Sequence, residues 1–267
     1  MIQALNVPPQ RERAEELVVY EQPLGERMRT FLRLDFLYGQ ALHHLEGTSS
    51  ASTRAAMQSL IDIMAILNRG DVRSDVLKEL ERQAGILDSY RIRSGVDTTR
   101  LNTLLANIVA LRDGLNAAGP QFIQPLKESD FLSAIKHRSA IPGGTCVFDL
   151  PEYNHWLSRP VQERRRDFHA WLGTLRPLSE AVAELLWLTR ESAQPREEIA
   201  YGGMFQLALA GNDTSNLLRI ALPRASSVYP EISGSHHRFT VRFLSWSDVL
   251  ERPAHSTADT RFLLSCC

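Results

Sequence analysis

The segment from Tyr229 to Phe243, YPEISGSHHRFTVRF, constrains the fold of this chain more than any other stretch. From His237 onward its polar and apolar residues alternate, which predicts a β-strand with one buried face. The face predicted to be buried carries Phe239, Val241 and Phe243. The opposite face carries Arg238, Thr240 and Arg242. This pattern requires a sheet that covers a core on one side and displays positive charge on the other.

Arg238 and Arg242 are separated by a four-residue step, which spans about 13 Å along a strand. Two guanidinium groups at that separation do not serve one small anion together. They suit successive acidic or carbonyl groups of an extended peptide, since guanidinium groups donate directional hydrogen bonds. The pattern therefore indicates a binding surface rather than a catalytic pocket, and the alternative is an ordinary solvated strand face.

The residues after Pro195 predict an antiparallel sheet, because short β-branched or aromatic runs are separated by Gly and Pro. The predicted strands are Glu198–Ala208 with an interruption at Gly202-Gly203, Leu217–Leu222, Val228–Ile232, His237–Trp246 and Arg261–Leu264. Arg219 would lie near Arg238 or Arg242 if their strands are neighbours.

The residues before Pro195 predict a helical body, because apolar side chains recur every three or four positions. Helices are expected over 24–45, 52–67, 72–87, 97–115, 131–138, 151–157, 160–171 and 178–193. The helices over 72–87 and 97–115 should form an antiparallel hairpin. Ser52 or Thr53, Asp71 and Asp149 are the candidate N-caps of three of these helices. Two β-branched runs, Leu17–Tyr20 and Thr145–Phe148, are predicted to join the sheet as short strands.

The fold class is therefore α+β, with a helical domain of antiparallel hairpins followed by an antiparallel β domain. We expect a flexible N-terminal tail over 1–16, the helical domain over 23–193 and the β domain over 196–267. The β domain would recruit short strands near 17–21 and 145–148.

Charge and hydrophobicity exclude several classes of partner. The chain has 30 Lys and Arg residues against 31 Asp and Glu, so no overall field attracts it to nucleic acid or to a membrane. No apolar run reaches the roughly 18 residues of a membrane span, and no signal peptide is recognisable. A cytoplasmic protein is expected, in which the three cysteines, Cys146, Cys266 and Cys267, stay reduced.

No sequence motif predicts an enzyme. The chain contains no P-loop, no dinucleotide-binding G-x-G-x-x-G, no H-E-x-x-H and no G-x-S-x-G. The pairs His43-His44 and His236-His237 are poor metal ligands, since adjacent side chains diverge on a helix or a strand. An RNA-binding regulatory protein is the main alternative, although RNA binding favours a basic protein with interleaved surface aromatics. A hydrolase or transferase would need a closed pocket with a perturbed histidine or carboxylate.

Seven features of the chain form a recognisable set: EQPLGERMRTFLRLDFL, RGDVRSDVLKELERQ, IPGGTCVFDLP, LLRIAL, YPEISG, RFTVRF and the paired cysteines at 266 and 267. Together they resemble the ZapD family, the Z-ring-associated cell division proteins of proteobacteria. The resemblance covers residues from about Val18 to Cys267. It implies a helical domain and a β domain, in agreement with the α+β pattern described above.

The resemblance also implies a function. Such a protein would form a symmetric homodimer, bind the flexible C-terminal tail of the tubulin-like protein FtsZ, and bundle FtsZ filaments at the mid-cell division site. It would use no cofactor and catalyse no reaction, and neither nucleic acid nor membrane would be a partner. We expect a basic surface to hold the tail. Its candidate residues are Arg33, Arg69, Arg219, His237, Arg238 and Arg242.

Overall fold

A computed structural model describes residues 16–209, 215–235 and 237–267. The chain forms two compact units: a helical unit, Arg27–Leu188, and a β unit that combines the residues up to Glu26 with Thr189–Cys267. The predicted α+β fold class is confirmed. The tail predicted over 1–16 lies outside the described residues except for Glu16. None of the helices in the described parts is both long enough and apolar enough to cross a membrane.

The described residues contain eight α-helices and one 3₁₀ turn, Tyr90–Ile92. The helices are α1 (Glu26–Glu46), α2 (Ser50–Leu67), α3 (Val72–Ser89), α4 (Thr98–Ala118), α5 (Gln124–Lys127), α6 (Asp130–Ser139), α7 (Pro151–Leu157) and α8 (Val161–Glu191). Asp71 caps α3 as predicted, since its carboxylate accepts a hydrogen bond from the backbone of Ser74. The predicted cap of α2 is wrong, because Ser49 accepts from the backbone of Ser52 and the helix begins earlier.

Helices α3 and α4 form the antiparallel hairpin that their apolar spacing predicts. Arg73, at the start of α3, donates to the backbone carbonyl of Leu115 and to the side-chain oxygen of Asn116, both near the end of α4. Between these ends, Val76 and Leu80 of α3 are fully buried. The hairpin therefore follows from two apolar stripes that cover each other.

Helix α8 is continuous over 31 residues, so the prediction of two helices on either side of Pro177 is wrong. A proline inside a helix costs about 3 kcal/mol, because one hydrogen bond is lost and the ring crowds the preceding turn. Buried side chains at helical spacing continue through the proline, including Leu172, Leu175, Leu178 and Val182. Since each buried leucine contributes about 1.5–3 kcal/mol, packing outweighs the local cost of Pro177.

Residues 145–148 form turns, so the predicted mid-chain strand is wrong. The backbone carbonyl of Thr145 accepts a hydrogen bond from the Arg54 guanidinium group and is not used in a sheet. Gly144 lies against the Arg138 carbonyl, where a Cβ atom would overlap. Asp149 does not cap α7; it accepts from the Cys146 thiol and pairs with Arg138 instead.

The β unit contains eight described strands in two antiparallel sheets. The strands are β1 (Leu17–Pro23), β2 (Arg196–Ala200), β3 (Met204–Ala208), β4 (Leu217–Pro223), β5 (Val228–Gly234), β6 (Arg238–Ser245), β7 (Ala254–His255) and β8 (Thr260–Cys266). The first sheet has the order β1-β4-β8-β2 and the second has the order β3-β6-β5, with β7 also pairing with β6. The recruitment of the N-terminal strand is confirmed, because β1 pairs with β4.

The chain passes from the first sheet to the second at Gly202-Gly203, between β2 and β3. Both glycines have positive φ, 54° and 73°, a region that other residues rarely adopt. Gly203 also lies against the Ser256 backbone, so a side chain there would overlap it. The predicted interruption of the strand at these glycines is therefore a change of sheet.

The two sheets enclose one apolar core. Phe239, Val241 and Phe243 of β6 are at most 1% exposed, which confirms the alternation predicted for this strand. They belong to one buried cluster with Ile220 of β4 and Phe262 of β8, whose ring centroid lies 5.3 Å from that of Phe243. Because both sheets direct their apolar side chains into this cluster, their polar faces point in different directions.

Candidate partner-binding surface

The outward side of the second sheet carries the side chains that the sequence marks as a binding surface. Arg238, Thr240 and Arg242 lie there on β6, opposite the buried phenylalanines in the alternation. Register places Gln206 of β3 and Ser233 of β5 on either side of Thr240. We call this surface the β6 face. It combines two guanidinium groups with hydroxyl and amide groups, all of which can form directional hydrogen bonds with a ligand.

Arg238 is an exposed cation of the β6 face. Within residues 16–209, 215–235 and 237–267, its guanidinium group has no side-chain partner. The side chain borders an open recess of about 530 Å³, here called the polar recess. The recess is lined by Gln206, Leu207, Ala208, Ser233, Gly234, Ser235, Arg238, Phe239 and Thr240. An unpaired guanidinium group beside donors and acceptors suits a carboxylate on an incoming chain.

The geometry of the β5–β6 hairpin holds Arg238 at the recess. The backbone N–H of Ser235 donates to the Arg238 carbonyl at 2.9 Å, and the N–H of Leu209 donates to the His237 carbonyl at 2.9 Å. Gly234 is needed at this end of the hairpin, because an added Cβ atom would overlap Phe239. His237 is exposed beside Arg238, and its neighbour His236 lies outside the described residues.

Arg242 already forms an ion pair within the β5–β6 hairpin. Its guanidinium group donates to the Glu231 carboxylate at 2.6 Å, across the β5–β6 pair. Both side chains are about half exposed, so the pair is worth only about 0–1 kcal/mol and a ligand carboxylate can compete for it. Glu231 is not among the predicted site residues, although the hairpin register that pairs Gly234 with Phe239 also places Glu231 opposite Arg242.

The far end of the β6 face is aromatic. Tyr229 of β5 lies opposite Leu244 of β6, and its ring centroid is 5.6 Å from that of Trp246, just after the strand. Trp246 is 57% exposed. Neither residue is among the predicted site residues, although both positions continue the outward alternation of their strands.

Arg219 lies away from the β6 face. It belongs to β4 in the first sheet, so the proximity to Arg238 or Arg242 expected for neighbouring strands does not occur. Its guanidinium group donates to the Glu21 carboxylate at 3.1 Å, and Glu21 also accepts two hydrogen bonds of 2.9 Å from Arg190. Arg219 further donates to the Arg190 backbone carbonyl at 3.3 Å. These contacts assign Arg219 to the internal structure of the β unit.

The same cluster surrounds a buried thiol. Burial raises the pKa of Cys267 to about 11, while the nearby Arg219 guanidinium opposes the increase. The Cys267 thiol is therefore neutral at physiological pH and unreactive as a nucleophile. None of the three cysteines, all of which are described, forms a disulfide.

Replacing Arg219 by alanine should destabilise the β unit without weakening partner binding through the β6 face. Loss of the charged hydrogen bonds to Glu21 should lower the free energy of unfolding by about 1–2 kcal/mol. The matched variant Arg238→Ala should change it by no more than about 0.5 kcal/mol, since that side chain is exposed. Hydrogen exchange of the β1 and β4 backbone amides measures both effects. Equal protection in the two variants would contradict the structural role of Arg219.

The remaining candidates, Arg33 and Arg69, belong to the helical unit. Arg33 is exposed on α1, and Arg69 is exposed in the turn that follows α2. His43 and His44 form an edge-to-face ring contact in the last turn of α1. No group of three or more His, Cys, Asp or Glu side chains in the described part of the chain is arranged to hold a metal ion.

Comparisons with known proteins identify the family of this chain. The family model named ZapD, described as a cell division protein, matches residues 32–242. The cell division protein ZapD of Methylococcus capsulatus is 41% identical over 250 residues, which cover 94% of this chain and 98% of that protein. The ZapD proteins of Aromatoleum aromaticum and Cronobacter sakazakii are each 36% identical, over 96% and 94% of this chain and 99% and 98% of their own lengths. This chain therefore belongs to the ZapD family of cell division proteins.

Proposed function

We propose that this protein binds the C-terminal tail of FtsZ on the β6 face and, as a homodimer, crosslinks FtsZ filaments into bundles that stabilise the Z-ring. It acts in the cytoplasm at the mid-cell division site, and it acts by binding alone, without catalysis or a cofactor. The observation that carries the proposal is Arg238, an exposed guanidinium group at the edge of the polar recess. Membership of the ZapD family supports a role in cell division.

An extended acidic segment suits this surface better than a compact ligand does. The polar recess is open to solvent and is lined by residues of β3, β5 and β6, so an extended chain can contact it over several residues. Arg238 would receive a carboxylate, while the hydroxyl groups of Ser233 and Thr240 and the amide of Gln206 are positioned to bond backbone groups of the ligand. Charge complementarity of this kind accelerates encounter and sets the register of the bound chain.

A single site should bind weakly. A disordered tail loses conformational freedom when it binds, so we expect an affinity in about the micromolar range. Screening should weaken the complex as the salt concentration rises, because the guanidinium group is exposed. One weak site per molecule does not join two filaments.

A dimer resolves this difficulty, because it presents two β6 faces. When one site holds a tail, the second site meets further tails on the filament lattice at a high effective concentration. Engagement of tails from two filaments crosslinks them, and engagement along one filament increases avidity. Arg33 and Arg69 of the helical unit are proposed as further basic contacts of the filament. Arg219 is the predicted contact that is least available to a ligand, because its guanidinium group already donates to the Glu21 carboxylate.

Co-sedimentation with FtsZ polymers tests the proposal. At low centrifugal force, filaments should pellet as bundles only when this protein is present, and FtsZ that lacks its C-terminal tail should not respond. Light scattering of the protein alone should give twice the mass of one chain. A strict monomer at working concentration would overturn the crosslinking role, and equal bundling of tail-less FtsZ would overturn the tail as the binding partner.

A further inference from the structure

The β6 face has a second, apolar half at the end opposite Arg238. Beyond Trp246, the loop that leads to β7 exposes Val249 by 79% and Leu250 by 91%. Single exposed apolar side chains are common on protein surfaces, whereas several exposed apolar side chains close together mark a candidate partner-binding surface. We call Tyr229 and Trp246, whose rings are in contact, the aromatic end of the β6 face; the loop that carries Val249 and Leu250 follows it in the chain.

The aromatic end is held in place by its own contacts. Strand β7 pairs with the end of β6 through Leu244 and Ser245, and the N–H of Ser256 donates to the Phe243 carbonyl at 2.9 Å. Within the loop, the Asp248 carboxylate accepts from the backbone of Leu250 at 3.0 Å, and Ser247 donates to the Glu251 carboxylate at 2.8 Å. An apolar surface that is already ordered costs a ligand less entropy on binding.

The alternation of β6 aligns this end with the recess. Arg238, Thr240, Arg242 and Leu244 lie on one side of the strand, and Trp246 continues the same series. The step from Arg238 to Trp246 is eight residues, which corresponds to about 26 Å of extended chain. Between them, the Arg242–Glu231 ion pair is neutral overall. The β6 face is therefore cationic at Arg238, neutral and polar in the middle, and apolar at the end that carries Trp246.

We propose that Trp246, packed on Tyr229, is the apolar anchor site of the tail-binding surface, and that the bound segment is extended, with a carboxylate at Arg238 and a large apolar side chain about eight residues away at Trp246. This inference rests on the proposed function, since the occupant is the same FtsZ tail. The charge at Arg238 selects the acidic end of the segment. The indole ring and the exposed Val249 and Leu250 cover its apolar side chain and prolong the bound state.

Calorimetry with a synthetic FtsZ tail peptide and the full-length protein tests the anchor. Trp246→Ala should weaken binding about tenfold, as expected when a central aromatic contact is lost. Trp246→Phe should recover most of the affinity, because a ring remains to pack on Tyr229. Phe148→Ala removes an aromatic ring that is 86% exposed in the helical unit and should leave the affinity unchanged.

Salt dependence separates the two halves of the surface. Binding by Trp246→Ala should retain the salt dependence of the unmodified protein, because Arg238 still contributes its charge. Binding by Arg238→Glu should lose most of it. The tryptophan emission of the unmodified protein should shift to the blue when the peptide binds, and the shift should be absent in Trp246→Phe.

The outcomes distinguish the inference from the function on which it rests. Unchanged affinity in Trp246→Ala, together with weakened binding in Arg238→Glu, would overturn the anchor and leave the tail-binding function in place. A protein that binds no tail peptide at all would overturn the proposed function. If Trp246→Ala instead lowers the mass found by light scattering, the aromatic end belongs to the dimer interface and the anchor is overturned.

Discussion

Arg238→Glu should weaken binding of the FtsZ tail peptide by about 10- to 100-fold, because the substitution removes a charged hydrogen-bond donor and places a carboxylate against an acidic ligand. The exposed side chain has no partner within the described residues, so its replacement leaves the core of the β unit intact. The thermal unfolding midpoint should therefore stay close to that of the unmodified protein. Calorimetry at low and moderate salt measures the affinity, and calorimetric unfolding measures the stability.

Arg261→Glu is the matched control for Arg238→Glu. Arg261 lies on β8 of the first sheet, and its side chain is 78% exposed beside Glu197. The two variants carry the same change of net charge in the same unit. Equal losses of affinity would mean that the tail responds to overall charge, and the assignment of the β6 face would then be wrong. Loss in Arg238→Glu alone places the acidic contact at the polar recess.

Phe243→Ala should destabilise the β unit by about 3–5 kcal/mol, the range measured for large aromatic residues in protein cores. The ring is fully buried between the sheets and contacts Phe262 of β8. Since a domain is stable by only about 5–15 kcal/mol, this loss approaches the whole stability of the unit. Hydrogen exchange of the β4, β6 and β8 amides is the appropriate measurement, because the two units need not unfold together.

Thr240→Ala provides the comparison on the other side of the same strand. Thr240 points to the β6 face and is only partly buried, so its loss should cost about 0.5 kcal/mol or less. A similar cost for both substitutions would contradict the one-sided core. A large difference shows that the alternation of β6 separates a structural face from a binding face.

The residues of β6 show which structural features can be predicted from the local sequence pattern. The alternation from Arg238 to Phe243 correctly predicted which side chains are buried, because a strand that borders a single core must place alternate residues inside it. The pairing of Glu231 with Arg242 could also have been predicted from the sequence, because the turn of a hairpin fixes the register of its two strands. Both results depend on residues close together in sequence.

Pro177 and Thr145 show where local pattern fails. Pro177 marks a helix end in most contexts, yet tertiary packing of the residues on either side of it keeps α8 continuous. The β-branched run at 145–148 resembles a strand, yet a hydrogen bond from Arg54, far away in sequence, holds it in turns. In both cases, distant contacts outweigh a local preference of at most a few kcal/mol.

Local pattern was enough to predict the α+β class and the buried and exposed faces of β6, because periodicity is a property of neighbouring residues. The motifs likewise pointed to the ZapD family. The pairing of β1 with β4 joins residues far apart in the sequence, and only the existence of the short strand was evident from its apolar run. Which arginines are available to a partner was settled by the three-dimensional arrangement of the strands. Arg219 and Arg238 look alike in the sequence. The guanidinium group of Arg219 donates to the carboxylate of Glu21, on a strand nearly 200 residues earlier, whereas the side chain of Arg238 is exposed. The availability of a charge depends on the groups that surround it in space, and strand order sets those surroundings.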